Sequence, residues 1–134
     1  MRMTNPKFSK DVLQGARLLI EEESAWVQGP VAVNAQGDNV QPIDPEACAW
    51  CCLGAIEATY LNILNITNHD GANRESADAV YDARRLLRDV IDEYTDEMFE
   101  GDIGDFNDSA FTGHCDVLHV LDTAIEDIET EFEE

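Results

Sequence analysis

Four stretches of the chain carry apolar residues at helical spacing or denser. Phe8, Val12, Leu13, Ala16, Leu19 and Ile20 fall on one face of a helix read from Phe8 to Glu22. Ser9 is its expected N-cap, Asp11 lies near its positive end, and Gly15 weakens it from within. The run Ala47 to Leu64, ACAWCCLGAIEATYLNIL, is apolar on nearly every side of a helical wheel, broken by Glu57, Thr59 and Asn62. Such a helix is normally buried, so this one is expected at the centre with others sheathing it. Asp44 as N-cap, Pro45 at the first position and Glu46 in the first turn mark its start. Val80, Ala83, Leu87, Val90, Ile91, Tyr94 and Met98 form the stripe of a third helix, from Ala77 to about Phe99 behind a Ser76 cap. Val117, Leu118, Leu121, Ala124, Ile125, Ile128 and Phe132 form that of a last helix, capped by Thr112 and running to about Ile128. Residues 129–134 set carboxylates at the negative helix end and are expected to fray.

The rhythm changes between Ala25 and Pro42. Val31 to Val33, a polar turn from Asn34 to Asn39, and Val40 predict a small edge hairpin bounded by Pro30 and Pro42, with Trp26 plugging the core beside it. Asn65 to Arg74 reads as a loop and Gly101 to Phe111 as a turn-rich connector. The expected fold is mainly α (α+β), a single domain over 1–134 with about four helices around a central buried one and one small β-hairpin. Ala47 to Leu64 is long enough to span a bilayer, but Glu57 falls mid-run and no Lys or Arg lies between Arg17 and Arg74, so no membrane span is expected.

At 44% hydrophobic, the chain can bury a core. Met1 to Pro6 is polar with no apolar run behind it, so no export signal is read and four reduced Cys in a cytoplasmic protein are expected. The net charge is −21, and 21 of the 29 acids lie in residues 70–134 with four of the eight Lys and Arg. From Asp89 onward there is no Lys or Arg. Such a surface repels nucleic acid and anionic membranes and attracts basic protein surfaces.

Few residue patterns carry chemistry. Cys48 and Cys52, with Cys115 and His119, each pair at i,i+4 and supply a zinc-like donor set if two helices face each other; packed in an apolar helix, however, Cys48, Cys51 and Cys52 are simply small hydrophobes. No metal or other cofactor is expected. Asn107 and Asp108 ahead of a helix, with His114 and Trp26, make a candidate polar pocket for a ligand or for acid–base work. Asn and Asp at such places equally form turns and caps. No Gly-rich phosphate loop, nucleophile elbow or paired-histidine motif is present, and Asp102 to Asp108 lacks the spacing of a calcium loop.

Two stretches carry a resemblance. Trp26-Val27-Gln28-Gly29 leads through the hairpin region to Ala49-Trp50-Cys51-Cys52-Leu53-Gly54-Ala55-Ile56, and Ile103-Gly104-Asp105-Phe106-Asn107-Asp108 leads to Thr112, Val117-Leu118 and Ala124-Ile125. From about Phe8 to Ile128 the chain resembles a family of small uncharacterised domains of bacteria and their phages. The resemblance implies a mostly helical fold with a small hairpin and no activity. This chain departs from that pattern in its acidity, its extra Cys and its acidic end.

Three readings of the acidity remain: a solvated helix face, adaptation to high internal salt, and imitation of nucleic-acid phosphates in a partner's basic groove. Its one-sidedness favours imitation over salt adaptation, which should coat all faces. Carboxylates at i, i+3 and i+4 stand roughly 5–6 Å apart in a row, against one duplex charge about every 1.7 Å of axis, so several rows approximate a phosphate track. The expected function is a non-enzymatic acidic binder that occupies a basic, nucleic-acid-binding surface of a partner protein without touching nucleic acid itself. The phage resemblance makes it an inhibitor of host defence, of the anti-CRISPR or anti-restriction kind. Its expected working residues are Asp89, Asp92, Glu93, Asp96, Glu97, Glu100, Asp102 and Asp105, with Glu126, Asp127 and Glu129 on the neighbouring helix. The alternative is an enzymatic or ligand-binding pocket at Trp26, Asn107, Asp108 and His114.

Overall fold

The computed structural model describes residues 2–64 and 74–132. The loop expected over 65–74 lies outside the described residues except for Arg74, and of the end expected to fray only 129–132 is described. The described elements are α1 (Pro6–Leu19), a single 3-10 turn (Glu23–Ala25), β1 (Ala32–Val33), β2 (Ala49–Trp50), α2 (Cys52–Ile63), α3 (Arg74–Tyr94), α4 (Ile103–Asp108) and α5 (His114–Glu131). The mainly α class with a small antiparallel sheet is the one the sequence predicts. Among the described residues no helix is long and apolar enough to cross a membrane.

Helix α1 starts upstream of the expected cap. The Asn5 side chain accepts from Phe8 N–H at 3.1 Å and Pro6 takes the first helical position, a stronger start than Ser9 offers. Ser9 is instead buried, and its hydroxyl donates to the Ala79 carbonyl of α3 at 2.6 Å. Val12, Leu13, Ala16 and Ile20 are fully buried, because α1 packs against α2, α3 and α5. Helix α2 packs chiefly on α1, with α4 and β2 also against it, and leaves Glu57, Asn62 and Ile63 exposed. Gly15 has a positive use: a side chain there would collide with Thr59 of α2.

The apolar run divides. Its first residues form β2, and α2 begins only at Cys52, capped by the Cys51 sulfur, which accepts from Gly54 N–H at 3.3 Å. Asp44 does not cap this helix; its carboxylate accepts from Glu46 N–H in a separate turn. Strand β2 pairs with β1 in the register Ala32↔Trp50 and Val33↔Ala49. The expected turn at Asn34 to Asn39 is present, tied by Asn34 accepting from Gln36 and Asp38 N–H. The main partner of β1, however, is residues 49–50; the stretch after the turn contributes a lone bridge at Asn39 and the bond from Val40 N–H to Ala32 O. Gly54 lets α2 meet β1, since a Cβ there would strike the Val31 carbonyl.

In α3, described from Arg74, Ser76 lies inside the helix and is buried rather than capping. The helix ends at Tyr94, short of Phe99, where Asp96 and Glu97 take left-handed backbone at φ 57° and 61°. Glu97 N–H bonds Asp92 O and Asp96 N–H bonds Glu93 O, closing the helix end. Met98 therefore falls outside the stripe and is 82% exposed, and Tyr94 is only half covered. Arg88 fastens the returning chain. It donates to Gly101 O at 2.6 Å, Asp92 at 2.6 Å and Phe99 O at 3.4 Å, and lies over the Phe99 ring. The expected connector then holds α4, whose Asp102 and Asp105 cap each other's backbone N–H at 2.9 and 3.0 Å. Gly113, not Thr112, is the N-cap of α5, and Asp116 accepts from its N–H at 2.7 Å. The helix stays intact to Glu131, with Phe132 against the core.

Candidate functional site

Helices α3 and α5 pack side by side and leave a seam on the surface. One end of it is lined by Leu86, Asp89, Val90, Glu93, Asp127 and Glu131. The spacing explains the meeting: Asp89 and Glu93 are i,i+4 on α3, and Asp127 and Glu131 are i,i+4 on α5. Among the described residues, no Lys or Arg lies within ion-pair distance of these four carboxylates. Burial raises the Asp127 carboxyl above its ordinary value, and the like charges of Glu131, Glu93 and Glu126 push it further up.

The other expected working residues scatter. Asp92 is paired with Arg88, and Glu129 lies 3.9 Å from Lys10 on the α1 side of α5. Asp102 and Asp105 cap α4, while Asp96, Glu97 and Glu100 sit exposed on the turn after α3. Glu126 is exposed next to Asp127. Thus the structure brings together Asp89, Glu93 and Asp127 of the expected set and adds Glu131, one helical turn beyond Asp127, which the expectation of fraying had hidden.

The seam continues past Val90, Glu93, Tyr94, His119 and Thr123 to an apolar end with Tyr94, Met98, Phe99, Phe106 and Phe111 in its lining. Tyr94 hydroxyl donates to Asp116 at 2.5 Å, and its ring lies 4.7 Å from that of His119. That bond, with Gly113 N–H, holds the Asp116 carboxyl below its ordinary value and raises the Tyr94 hydroxyl.

Trp26, Asn107, Asp108 and His114 do come together, as a fastening rather than a pocket. Asn107 is fully buried. Its oxygen accepts from Trp26 Nε1 at 2.7 Å and Cys52 N–H at 3.0 Å, and its amide donates to Val27 O and Asp108, each at 3.0 Å. Those are all four hydrogen bonds an amide side chain can make. Gln28 donates to the carbonyls of Asn107, Ser109 and Thr112, and Gly29 N–H donates to Asp108. His114 Nε2 meets Ile20 O at 2.6 Å with its ring beside Trp26. The Trp-x-Gln-Gly segment, the start of α2 and the Asn-Asp turn are therefore parts of one latch. The Trp26 indole N–H and the Asn107 side-chain amide have no hydrogen bond left to offer a ligand.

The cysteines do not assemble. Cys48 and Cys115 are exposed, Cys51 and Cys52 buried, and among the described residues no three His, Cys, Asp or Glu gather as a metal would need. Cys48 lies ahead of β2, so its i,i+4 relation to Cys52 on a helix is lost. Burial pushes the Cys52 thiol far up and Cys51 up against the N–H bonds it accepts, so both stay protonated and inert.

The chain belongs to a family of unknown function (DUF6197), whose pattern matches residues 4–127 and so spans the latch and the seam as far as Asp127. No curated protein and no solved structure matches it.

Proposed function

We propose that the protein is a non-enzymatic acidic binding protein that sets the α3–α5 seam against a basic, nucleic-acid-binding surface of a partner protein, in place of nucleic acid. The observation that carries this is the meeting of Asp89, Glu93, Asp127 and Glu131 in one groove with no cation among the described residues to neutralise them. Asp127 is raised first by burial and then by its like-charged neighbours, and the like-charge part of that cost is what a cationic partner relieves. Two facing rows with charges about 6 Å apart along each helix support the likeness to a phosphate track. The role is inhibition of a host defence complex by a phage-borne protein, of the anti-CRISPR or anti-restriction kind. Support for it is the small acidic chain and the resemblance to bacterial and phage domains that its sequence motifs suggest. A ligand pocket at Trp26, Asn107, Asp108 and His114 draws no support from the latch, whose central amide is fully used.

The test is retention of a partner from host lysate at low salt, eluted with a salt gradient. The combined variant D89N/E93Q/D127N/E131Q should lose the partner while keeping its helical circular dichroism and a melting temperature no lower than that of the parent. Retention that survives this variant and does not fall with salt would remove the proposal.

A further inference from the structure

We infer that the seam is a two-part docking track for a cationic amphipathic segment of a partner protein: basic side chains lie along its carboxylate half, and one bulky apolar side chain seats at its other end between Met98 and Phe111. This rests on the reading of the carboxylate half given above and adds the chemistry of what fills the rest.

The two halves are one surface. The carboxylate hollow shares Val90 and Glu93 with the middle one, and the middle one shares Tyr94 with the aromatic one. Their volumes are about 220, 190 and 230 Å³, each below the roughly 300 Å³ at which small-molecule pockets begin, so a chain segment suits the seam better than a small ligand. From Asp116 to Glu131 the α5 wall runs about 22 Å at 1.5 Å per residue, the length of a helical segment of about four turns.

Phe111 is 98% exposed and Met98 82% exposed. They line one hollow with Tyr94, Phe99 and Phe106, and a contiguous apolar patch of this kind marks a contact surface. Their positions are set by bonded backbone: the left-handed residues Asp96 and Glu97 turn the chain so that Met98 stands outside α3, and Phe111 N–H is held by the Ser109 hydroxyl at 3.2 Å. A flexible thioether in the same hollow as an aromatic ring adapts to a bulky apolar guest. Carboxylates rim this end too, with Asp116 in its wall and Asp96, Glu97 and Glu100 beside it in the chain. The guest's apolar anchor must therefore be flanked by cations, which excludes a nucleic acid and an anionic lipid surface. A pure phosphate mimic has no use for the apolar end; a protein-binding track does.

The probes are two labelled 16-residue peptides of lysine and alanine, identical except for one tryptophan near an end, made in both orientations, with binding read by fluorescence anisotropy at 150 mM salt. In one orientation the tryptophan peptide should bind at least tenfold more tightly than the all-alanine one. M98A/F111A, at exposed positions where the fold loses little, should abolish that tenfold difference and leave the all-alanine affinity unchanged. D89N/E93Q/D127N should weaken both peptides together. Equal affinities of the two peptides in both orientations, or discrimination that survives M98A/F111A, overturn this inference while leaving the acidic-binder reading standing. Binding of both peptides that ignores D89N/E93Q/D127N overturns both.

Discussion

Replacing Asn107 by alanine tests the latch at its centre. The substitution removes four hydrogen bonds and leaves two donors, Trp26 Nε1 and the buried Cys52 N–H, facing a small void. Each orphaned buried donor costs about 1–3 kcal/mol, so the total is about 2–5 kcal/mol after Trp26, which is only partly buried, recovers some water contact. Domains of this size are stable by about 5–15 kcal/mol, so the loss is a large fraction of the whole. At about 3–5 °C per kcal/mol for a chain of this length, the melting temperature should fall by about 6–25 °C. Urea unfolding should show a lower midpoint with an unchanged slope.

Asn107→Asp separates hydrogen bonding from volume. It keeps the acceptor for Trp26 and Cys52 but sets a carboxylate oxygen against Val27 O and Asp108, where the amide had donated. Burial and Asp108 both raise the new group's folded pKa above the roughly 3.9 of an unfolded aspartate. Its protonated form is favoured in the fold, so the penalty is full at pH 7, shrinks as pH falls through the folded pKa, and is gone below about 3.9. An Asn107→Ala cost under 1 kcal/mol, or an Asn107→Asp penalty that does not shrink with acid, refutes the latch.

Other perturbations read other parts of the fold. Arg88→Ala should lower stability by about 2 kcal/mol in urea unfolding, since it removes a carboxylate pair, two carbonyl bonds and a ring contact, and Arg88→Lys should not restore it because an ammonium cannot fork between them. Asp116 and Asp127 should respond to acid in opposite ways in melting curves taken from pH 7 to pH 2. The Asp116 carboxyl is lowered, first by the Tyr94 bond, so its contribution is full above the ordinary 3.8 and lost as pH falls through its lower folded value; the deficit of D116N should close there. The Asp127 carboxyl is raised, first by burial, so its charged form burdens the fold above the folded value. D127N should therefore be the more stable protein at pH 7, with that advantage gone below about 3.8.

Much of this was readable in the chain because α1, α3 and α5 are amphipathic and their apolar stripes survive small errors at the ends. The boundary between β2 and α2 was not, because an unbroken apolar run has no period to tell a strand from a buried helix. What separates them is bonding to β1 and the Trp50 indole donating to Pro42 O, partners that lie elsewhere in the chain. Helix α4 is too short for a stripe, though its Asp102-x-x-Asp105 capping box was there to see. Trp26, Asn107 and Asp108 stood out as a group, but their bonds cross about 80 residues of chain, and only the fold turns a candidate pocket into a latch. For the acids, counting was a poorer guide than phase. Asp89 and Glu93 share the α5 side of α3, while Asp92 points to Arg88; sequence proximity placed all three in one patch, and the helix divides them.

The latch and the seam are mechanically linked. Asn107, Asp108 and Gln28 tie α4 and the entry to α5 onto the start of α2, and Arg88 of α3 ties the following chain back at Gly101. The aromatic end of the seam is thus walled by three pieces of chain, each pinned from behind. Its carboxylate end rests on the buried side chains beneath it, where Leu87, Val120, Leu121, Ala124 and Ile128 are fully covered. Two like charges about 6 Å apart repel by roughly 0.7 kcal/mol in water and roughly 3 kcal/mol at an effective dielectric of 20. Burying one large aliphatic side chain returns about 1.5–3 kcal/mol, so the core under α3 and α5 outweighs the repulsion it forces together. A cationic segment laid in the seam turns that repulsion into attraction without moving either helix. A merely solvated acidic face would gain the same relief from salt alone; what distinguishes a track is that its apolar end has nothing to gain from salt.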